Sequence, residues 1–213
     1  MPQPGLVAGV TLGSGLLIGM IGLAAAQADA PPAETPYPAQ KVLAAFATAC
    51  SGIENMATAK ASVMAAGWQP VPADDPGQLM QLVAWGKAKL AESDPDMKLA
   101  QGGEYRMTVA GRELSLALSG VDLETIRSNG CRVYDFAAPA PISPGELEDW
   151  AVRKPNNTQT PGEGMVKHIW NPGLKPGHME MEISYVPKGA LAAANIPLSG
   201  LVFVATAMEF LQK

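Results

Sequence analysis

The chain has 213 residues, of which 47% are apolar, 16% are charged and 6% are aromatic. This apolar content suffices for a packed core, which excludes an intrinsically disordered chain, and the length corresponds to one domain with or without a tail. Fifteen Lys and Arg against 20 Asp and Glu leave a net charge of −5 without a basic cluster, so we expect no nucleic-acid partner. The 22 Gly and 19 Pro exclude a mostly helical bundle.

The amino-terminal segment has the composition of an export signal. Residues 1–28 carry no charged side chain, and the almost entirely apolar stretch from Leu6 to Ala26 runs into Ala26-Gln27-Ala28, a triplet of the kind that signal peptidase cleaves. We therefore predict a signal peptide over residues 1–28 and a periplasmic or secreted protein. The alternative is an uncleaved anchor, because this mainly apolar stretch of 21 residues can span a bilayer, and the membrane would then be a partner through this segment alone.

Four prolines follow within eight residues, at positions 31, 32, 36 and 38. Proline lacks the backbone N–H that helices and central strands use, so this stretch can form neither. We predict a Pro-rich leader over residues 29–39 and a single α+β domain over residues 40–213.

The chain after the signal contains two cysteines, Cys50 and Cys131, which are 81 positions apart. In an oxidising compartment such a pair is expected to form a structural disulfide. A redox-active pair is the alternative, but the spacing is not C-x-x-C. The even number of cysteines agrees with the predicted export and is independent of the signal-peptide composition.

Helical signals dominate the first third of the domain. We predict a helix over Lys41–Ala49, and a second that starts with the capping box Ser51-Gly52-Ile53-Glu54 and ends at Gly67. A brief strand over Trp68–Val71 precedes a third helix with Asp75 as its N-cap and apolar residues at helical spacing up to Leu90.

After Pro95 the apolar period changes from about 3.6 to 2, which indicates strands. We predict a hairpin with its turn at Ala110-Gly111, a fourth helix that opens with the capping box Ser143-Pro144-Gly145-Glu146, and a polar loop over Asn156–Gly164. Further strands are predicted over Cys131–Phe136, Met165–Trp170, His178–Val186 and Leu201–Phe210. The expected class is α+β: an antiparallel β-sheet with three to four helices packed on one face and one disulfide.

Sequence signatures of common enzymes are missing. The chain contains no G-x-S-x-G elbow, H-E-x-x-H, P-loop, G-x-G-x-x-G or S-x-x-K motif. We therefore favour a non-enzymatic protein, although catalytic triads are defined by geometry and need not leave a sequence motif.

A metal site is the alternative function. If the strands on either side of Gly173 form a hairpin about that residue, then His168 faces His178, and strand alternation adds Glu180 to the same face. Two imidazoles and a carboxylate with an open position suit zinc, which would activate water in a metal-dependent hydrolase or serve a metal-handling role. Copper(I) bound by Met179 and Met181 is disfavoured, because alternation points them away from the imidazoles.

Several other side chains are candidates for binding or catalysis. Trp170, beside the predicted polar loop, is our candidate for an exposed aromatic that contacts a partner or ligand. Scattered arginines are usually solvated or paired, but Arg127, Arg132 and Arg153 could bind an anionic ligand. The carboxylates that could serve in acid–base catalysis are Asp74, Asp75, Asp94 and Asp96, and the serines that could act as nucleophiles are Ser119 and Ser199.

The sequence thus favours an exported single-domain protein that binds another molecule, a protein or a small-molecule ligand of the cell envelope, through the open face of its sheet and the nearby loops. The alternative is the metal-dependent hydrolase or metal-handling protein that uses His168, His178 and Glu180.

Overall fold

Four helices and eight strands make up the computed structural model, which describes residues 36–211. The helices are α1 (Ala39–Cys50), α2 (Met56–Ala65), α3 (Gln78–Ser93) and α4 (Pro144–Ala151). The strands are β1 (Gln69–Pro70), β2 (Lys98–Val109), β3 (Arg112–Leu123), β4 (Ile126–Asp135), β5 (Asn157–Gly162), β6 (Met165–Trp170), β7 (His178–Val186) and β8 (Gly200–Phe210).

All eight strands belong to one sheet in the order β1-β2-β3-β4-β8-β7-β6-β5, and every neighbouring pair is antiparallel. The consecutive strands β2, β3 and β4 form one half, and β5, β6 and β7 form the other. The last strand, β8, is inserted between the two halves and pairs with both β4 and β7. The predicted α+β class with an antiparallel sheet is confirmed.

One face of the sheet, here called the inner face, carries the main core. Side chains of a strand alternate between the two faces, so every second residue of the central strands points to the same side. On this side α1, α2 and α4 cover the sheet: Phe46 of α1 packs its ring 5.6 Å from Phe203 of β8 and 6.3 Å from Trp150 of α4. Further core residues of the inner face are Val42, Leu43, Ala59, Val63, Leu114, Leu116, Val133, Leu147, Ile183 and Ala205.

The predicted disulfide is confirmed and lies in this core. Cys50 at the end of α1 and Cys131 on β4 are both fully buried, with an S–S distance of 2.04 Å. The bond therefore links the first helix covalently to a central strand.

The third helix packs on the opposite, outer face. Leu79, Leu82 and Val83 of α3 contact a small cluster that includes Tyr134 of β4 and Val202 of β8. Since β1 forms the edge of the sheet beside β2, the chain passes around the sheet edge after α2 and reaches the outer face before α3 begins. The expectation that three to four helices share one face therefore describes α1, α2 and α4 but not α3.

Two predicted helix starts are wrong. The second helix begins at Met56 with Asn55 as its N-cap, whose side chain accepts a hydrogen bond from the Thr58 backbone N–H. Glu54 does not close a capping box with Ser51, because its carboxylate pairs with Lys175 instead. The third helix begins after Gly77, and Asp75 accepts a hydrogen bond from the Gly77 N–H in the preceding turn.

Two other local predictions are confirmed. The capping box of Ser143 and Glu146 is present at the start of α4, and the β2–β3 hairpin turns at Ala110-Gly111, both with positive φ. The predicted polar loop over Asn156–Gly164 is wrong, because Asn157–Gly162 forms the edge strand β5. Every residue of β5 is exposed, so it lacks the apolar alternation that marks a strand.

The predicted signal peptide and most of the predicted Pro-rich leader lie outside the described residues. At the end of that leader, Tyr37 is already part of the fold, since its hydroxyl donates a hydrogen bond to the buried Asp135 and its ring lies beneath the Arg112 guanidinium. Among the helices of residues 36–211, none has the length and hydropathy needed to cross a membrane.

Removing the disulfide is expected to destabilise the fold strongly. In the loop-entropy description, opening a loop of 81 positions costs roughly 4–5 kcal/mol, out of a typical total of about 5–15 kcal/mol. Urea unfolding of the Cys50→Ala/Cys131→Ala variant should therefore show a much lower midpoint than the wild type. Dithiothreitol should lower the wild-type midpoint and leave that of the double variant unchanged. Equal midpoints for oxidised and reduced wild type would contradict the structural role of the bond.

Candidate ligand-binding groove

A large apolar groove lies between α3 and the outer face of the sheet. It has a volume of about 910 Å³ and is partly open to solvent. We call it the α3 groove; α3 forms one wall, the sheet forms the floor, and the β7–β8 connection closes one end. Its lining includes Leu82, Val83, Trp85, Gly86 and Leu90 of α3, Leu99 to Gly102 of β2, Ala117 to Val121 of β3, Arg132 and Tyr134 of β4, Val202 and Val204 of β8, and Leu191, Ile196 and Leu198 of the connection.

The groove exists because α3 contacts the sheet closely only near its start. Leu79, in the first turn, is 4% exposed and is the one buried residue of the helix. Further along, Trp85 and Gly86 are only partly covered and line the groove. A Cβ added at Gly86 would meet no atom within 4 Å. The second half of α3 therefore stands off the sheet and leaves room beneath it.

The groove reaches the strand backbone at several small residues. Ala100, Gly102, Ala117 and Gly120 all line the groove. Ala117 presents its methyl group to the outer face, whereas a Cβ at Gly120 would lie beside Ala100 Cβ and Asn129 Oδ1 on the inner face. Gly102 lies in an irregularity between β2 and β3, where a Cβ would come within 1.8 Å of the Leu118 carbonyl oxygen. No other residue fits there without moving the backbone, so the close approach of β2 to β3 depends on this glycine.

One cationic group projects from the floor of the groove. Arg132 lies on the outer face of β4, and its Nη1 donates a 2.7 Å hydrogen bond to Ser119 Oγ on β3. The guanidinium extends over Gly130, where an added Cβ would lie 2.7 Å from Nη1. A side chain at position 130 would displace the guanidinium, so the glycine allows Arg132 to lie along the floor.

The register places two carboxylates in the same row as Arg132. Arg132 pairs with Ala117 on one side and Val204 on the other, and these pair in turn with Glu104 and Glu182. Each glutamate is therefore two strands away, about 10 Å at the usual strand spacing. Both also line the groove, so its floor carries charges of both signs.

The three predicted metal ligands do not come together. His168 lies opposite Ile183, not opposite His178, so the predicted register is wrong. His178 pairs with Ala207 and points to the inner face, as does His168. An irregularity between His178 and Glu180 places Glu180 opposite Thr206 on the outer face, because one extra residue reverses the alternation.

The separation of the two histidines also excludes a shared metal ion. His178 lies five positions along β7 from Ile183, the partner of His168, which is about 16 Å at the rise of a strand. Within residues 36–211, no three His, Cys, Asp or Glu side chains are grouped so that they could hold a metal ion. The set proposed for zinc is therefore not assembled in this fold.

Each histidine has a separate buried position. His168 Nδ1 lies 3.0 Å from Thr158 Oγ1, and His178 Nε2 lies 3.4 Å from Glu54 Oε1. Burial lowers the pKa of both imidazoles, because the charged form loses hydration. For His178 the nearby Glu54 carboxylate opposes this effect, and the Glu148 carboxylate does so for His168.

The predicted exposed aromatic, Trp170, is fully buried on the inner face. Its indole N–H donates a hydrogen bond to the Arg153 carbonyl, so the interpretation as a contact residue is wrong. Trp85, for which no sequence pattern indicated an exposed position, lines the α3 groove instead. Sequence alone could not separate the two, because the face on which each tryptophan lies depends on tertiary packing.

The other candidates are mostly engaged in the fold. Arg127 pairs with Asp122 and Glu209, and Arg153 donates to the carbonyls of Pro172 and Gly173. Asp75 pairs with Arg106, and Ser199 donates to the Phe136 carbonyl. Asp74, Asp94 and Asp96 are exposed at the ends of α3 and its flanking turns. Of the three candidate arginines only Arg132 lines the groove, together with Ser119.

Comparison with protein-family models, with curated proteins and with solved structures finds no match to this chain. The interpretation of the groove therefore rests on its own geometry and chemistry.

The two buried histidines predict that acid destabilises the fold. Because their pKa values are lower in the folded state than in the unfolded chain, the unfolded chain binds more protons as the pH falls below about 6.5. The free energy of unfolding should therefore decrease between pH 7.5 and pH 5. Carboxyl groups with lowered pKa values, such as Asp122, change the stability of the fold only at lower pH, where they become protonated. Urea titrations of the wild type and of a His168→Gln/His178→Gln variant measure this effect, which should be smaller in the variant. If the free energy of unfolding of the wild type stays constant or rises on acidification, the conclusion that the two histidines have lowered pKa values in the folded state is wrong.

Proposed function

We propose that this protein is a non-enzymatic binding protein that holds a small apolar molecule in the α3 groove. The observation that carries this proposal is the groove itself, with its volume of about 910 Å³ and its mainly apolar lining. Small-molecule sites typically have volumes of about 300–1,000 Å³ and are lined by apolar side chains with a few polar groups.

The apolar surface of the groove supports this proposal because a ligand would remove it from water. Leu99 is 46% exposed at the groove, and Trp85, Leu90 and Val204 are partly exposed. Burial of apolar area contributes about 25 cal/mol per Å², so a ligand that covered these side chains would gain affinity without a change in the fold. Exposed apolar surface next to a concavity is typical of binding sites.

The polar groups of the groove favour binding over catalysis. Ser119 is hydrogen-bonded to Arg132, and the described residues that line the groove include no histidine or cysteine. A serine nucleophile needs an adjacent base, and Ser119 instead contacts a guanidinium that is protonated at any physiological pH. This arrangement would hold a molecule but would not activate it.

Export is the second part of the proposal. The charge-free apolar segment that ends in Ala26-Gln27-Ala28 and the disulfide between Cys50 and Cys131 support it independently. A protein with both features would act on ligands of the periplasm or of the extracellular space.

Filling the groove from α3 tests the binding function. The Gly86→Leu variant should fold, because leucine is a better helix former than glycine by about 0.8 kcal/mol and the space beside Gly86 is open. Its side chain would occupy the groove. We expect the affinity for the neutral fluorescent probe N-phenyl-1-naphthylamine to fall roughly tenfold or more, since a leucine-sized volume of apolar contact is lost. The measurement is a fluorescence titration of the wild type and the variant.

Ala88→Leu is the matched control, because Ala88 is exposed on the same helix and does not line the groove. It should bind the probe as tightly as the wild type. Thermal unfolding of both variants verifies that each is folded. The proposal fails if the wild type does not bind the probe, or if Gly86→Leu binds it unchanged.

A further inference from the structure

We infer that the ligand of the α3 groove is an acidic amphiphile, an apolar molecule with one anionic head group that binds Arg132. This inference rests on the proposed binding function and adds the chemical class of the ligand. It depends on the way Arg132 is held and on its lack of a carboxylate partner within the described part of the chain.

The guanidinium of Arg132 differs from those of the other arginines on the sheet. Arg106, Arg112 and Arg127 each have a carboxylate oxygen within 4.0 Å, at Asp75, Asp135 and Asp122 respectively. Across residues 36–211, no carboxylate oxygen lies within 4.0 Å of Arg132.

The donors of Arg132 are preorganised for an anion. A guanidinium has five N–H donors in a planar fork, and one protein acceptor, Ser119 Oγ, is in contact with it. That hydrogen bond and the space over Gly130 hold the side chain along the floor, so less conformational freedom is lost when a ligand binds. The remaining donors can contact a carboxylate or another acidic oxygen group in a bidentate manner.

The apolar surroundings of Arg132 favour the binding of an anionic partner. Arg132 is partly buried among Ala117, Tyr134 and Val204, and a charge near apolar surface is less well hydrated than one in open solvent. A head group that paired with the guanidinium would satisfy it, while the attached apolar part could cover Val83 and Leu90 on the wall above.

The other charged groups of the groove allow one negative charge but oppose several. Glu182, two strands from Arg132, forms an ion pair with Lys167, with 2.8 Å between Nζ and Oε2, and its Oε1 accepts a hydrogen bond from the Ser184 hydroxyl. Glu104, on the other side, keeps a negative charge at the groove, and Lys87 of α3 adds a positive charge at the rim. Attraction to Arg132 at contact distance exceeds repulsion from Glu104 about 10 Å away, because Coulomb energies fall with separation.

The test compares two ligands that differ in the head group. Decanoate and decan-1-ol have the same apolar chain, and isothermal titration calorimetry at pH 7.5, below the concentration at which decanoate forms micelles, gives both affinities. We expect wild-type protein to bind decanoate roughly tenfold to hundredfold more tightly than decan-1-ol, as for a charge-assisted bidentate contact. Arg132→Met keeps an apolar stem of similar length and should abolish this difference while decan-1-ol binding is retained.

Lys89→Met is the charge-matched control, since Lys89 is exposed on α3, pairs with Glu92 and does not line the groove. It should preserve the preference for decanoate. If neither ligand binds the wild type, the proposed function fails; if both bind with equal affinity, the proposed function stands and the anionic class is overturned. This wild-type comparison is decisive even if Arg132→Met does not fold, and Arg132→Lys then reports whether the planar fork or the charge alone gives the preference.

Discussion

Side chains of a β-strand alternate between two faces, and this alternation determines which residues of the protein are in the core and which are available to a ligand. On the inner face Leu116, Cys131 and Phe203 are buried beneath three helices, and the disulfide fixes α1 to the sheet. On the outer face the same strands present Ala117, Arg132 and Val204. Within residues 36–211 one helix covers this side, and part of the apolar surface of this described region is accessible.

The position of α3 creates the α3 groove on this incompletely covered face. The helix is anchored by Leu79 at its start, whereas Gly86 in its second half faces open space. A larger residue at Gly86, or at Ala117 on the floor, would fill part of the cavity. The hydrogen bond from Arg132 to Ser119 then holds one guanidinium that has no carboxylate partner among the described residues within a mainly apolar lining. The apolar volume and this unpaired positive charge together favour an acidic amphiphile as the ligand.

Sequence analysis succeeded where the determining contacts are local and failed where they are distant. The α4 capping box and the turn at Ala110-Gly111 were predictable from local spacing. The disulfide is distant in sequence and was predictable for another reason, because the chain has only two cysteines that could pair. The side of the sheet that α3 occupies depends on the path around the edge strand. The partner of His168 depends on the register between β6 and β7, and the outward position of Glu180 depends on an irregularity between β7 and β8. Arg132 could be named as a candidate, but the pairing of the other arginines became visible only in three dimensions.

Mapping of a bound ligand by backbone amide NMR tests the central claim most directly, namely that the outer face beneath α3 is the binding site. On titration with decanoate, the account predicts that the largest chemical-shift changes occur on α3 around Gly86 and on the floor of the groove around Gly102, Ser119 and Arg132. Changes concentrated instead in α1, α4 and the inner-face strand residues, or an absence of changes at saturating ligand, would contradict it.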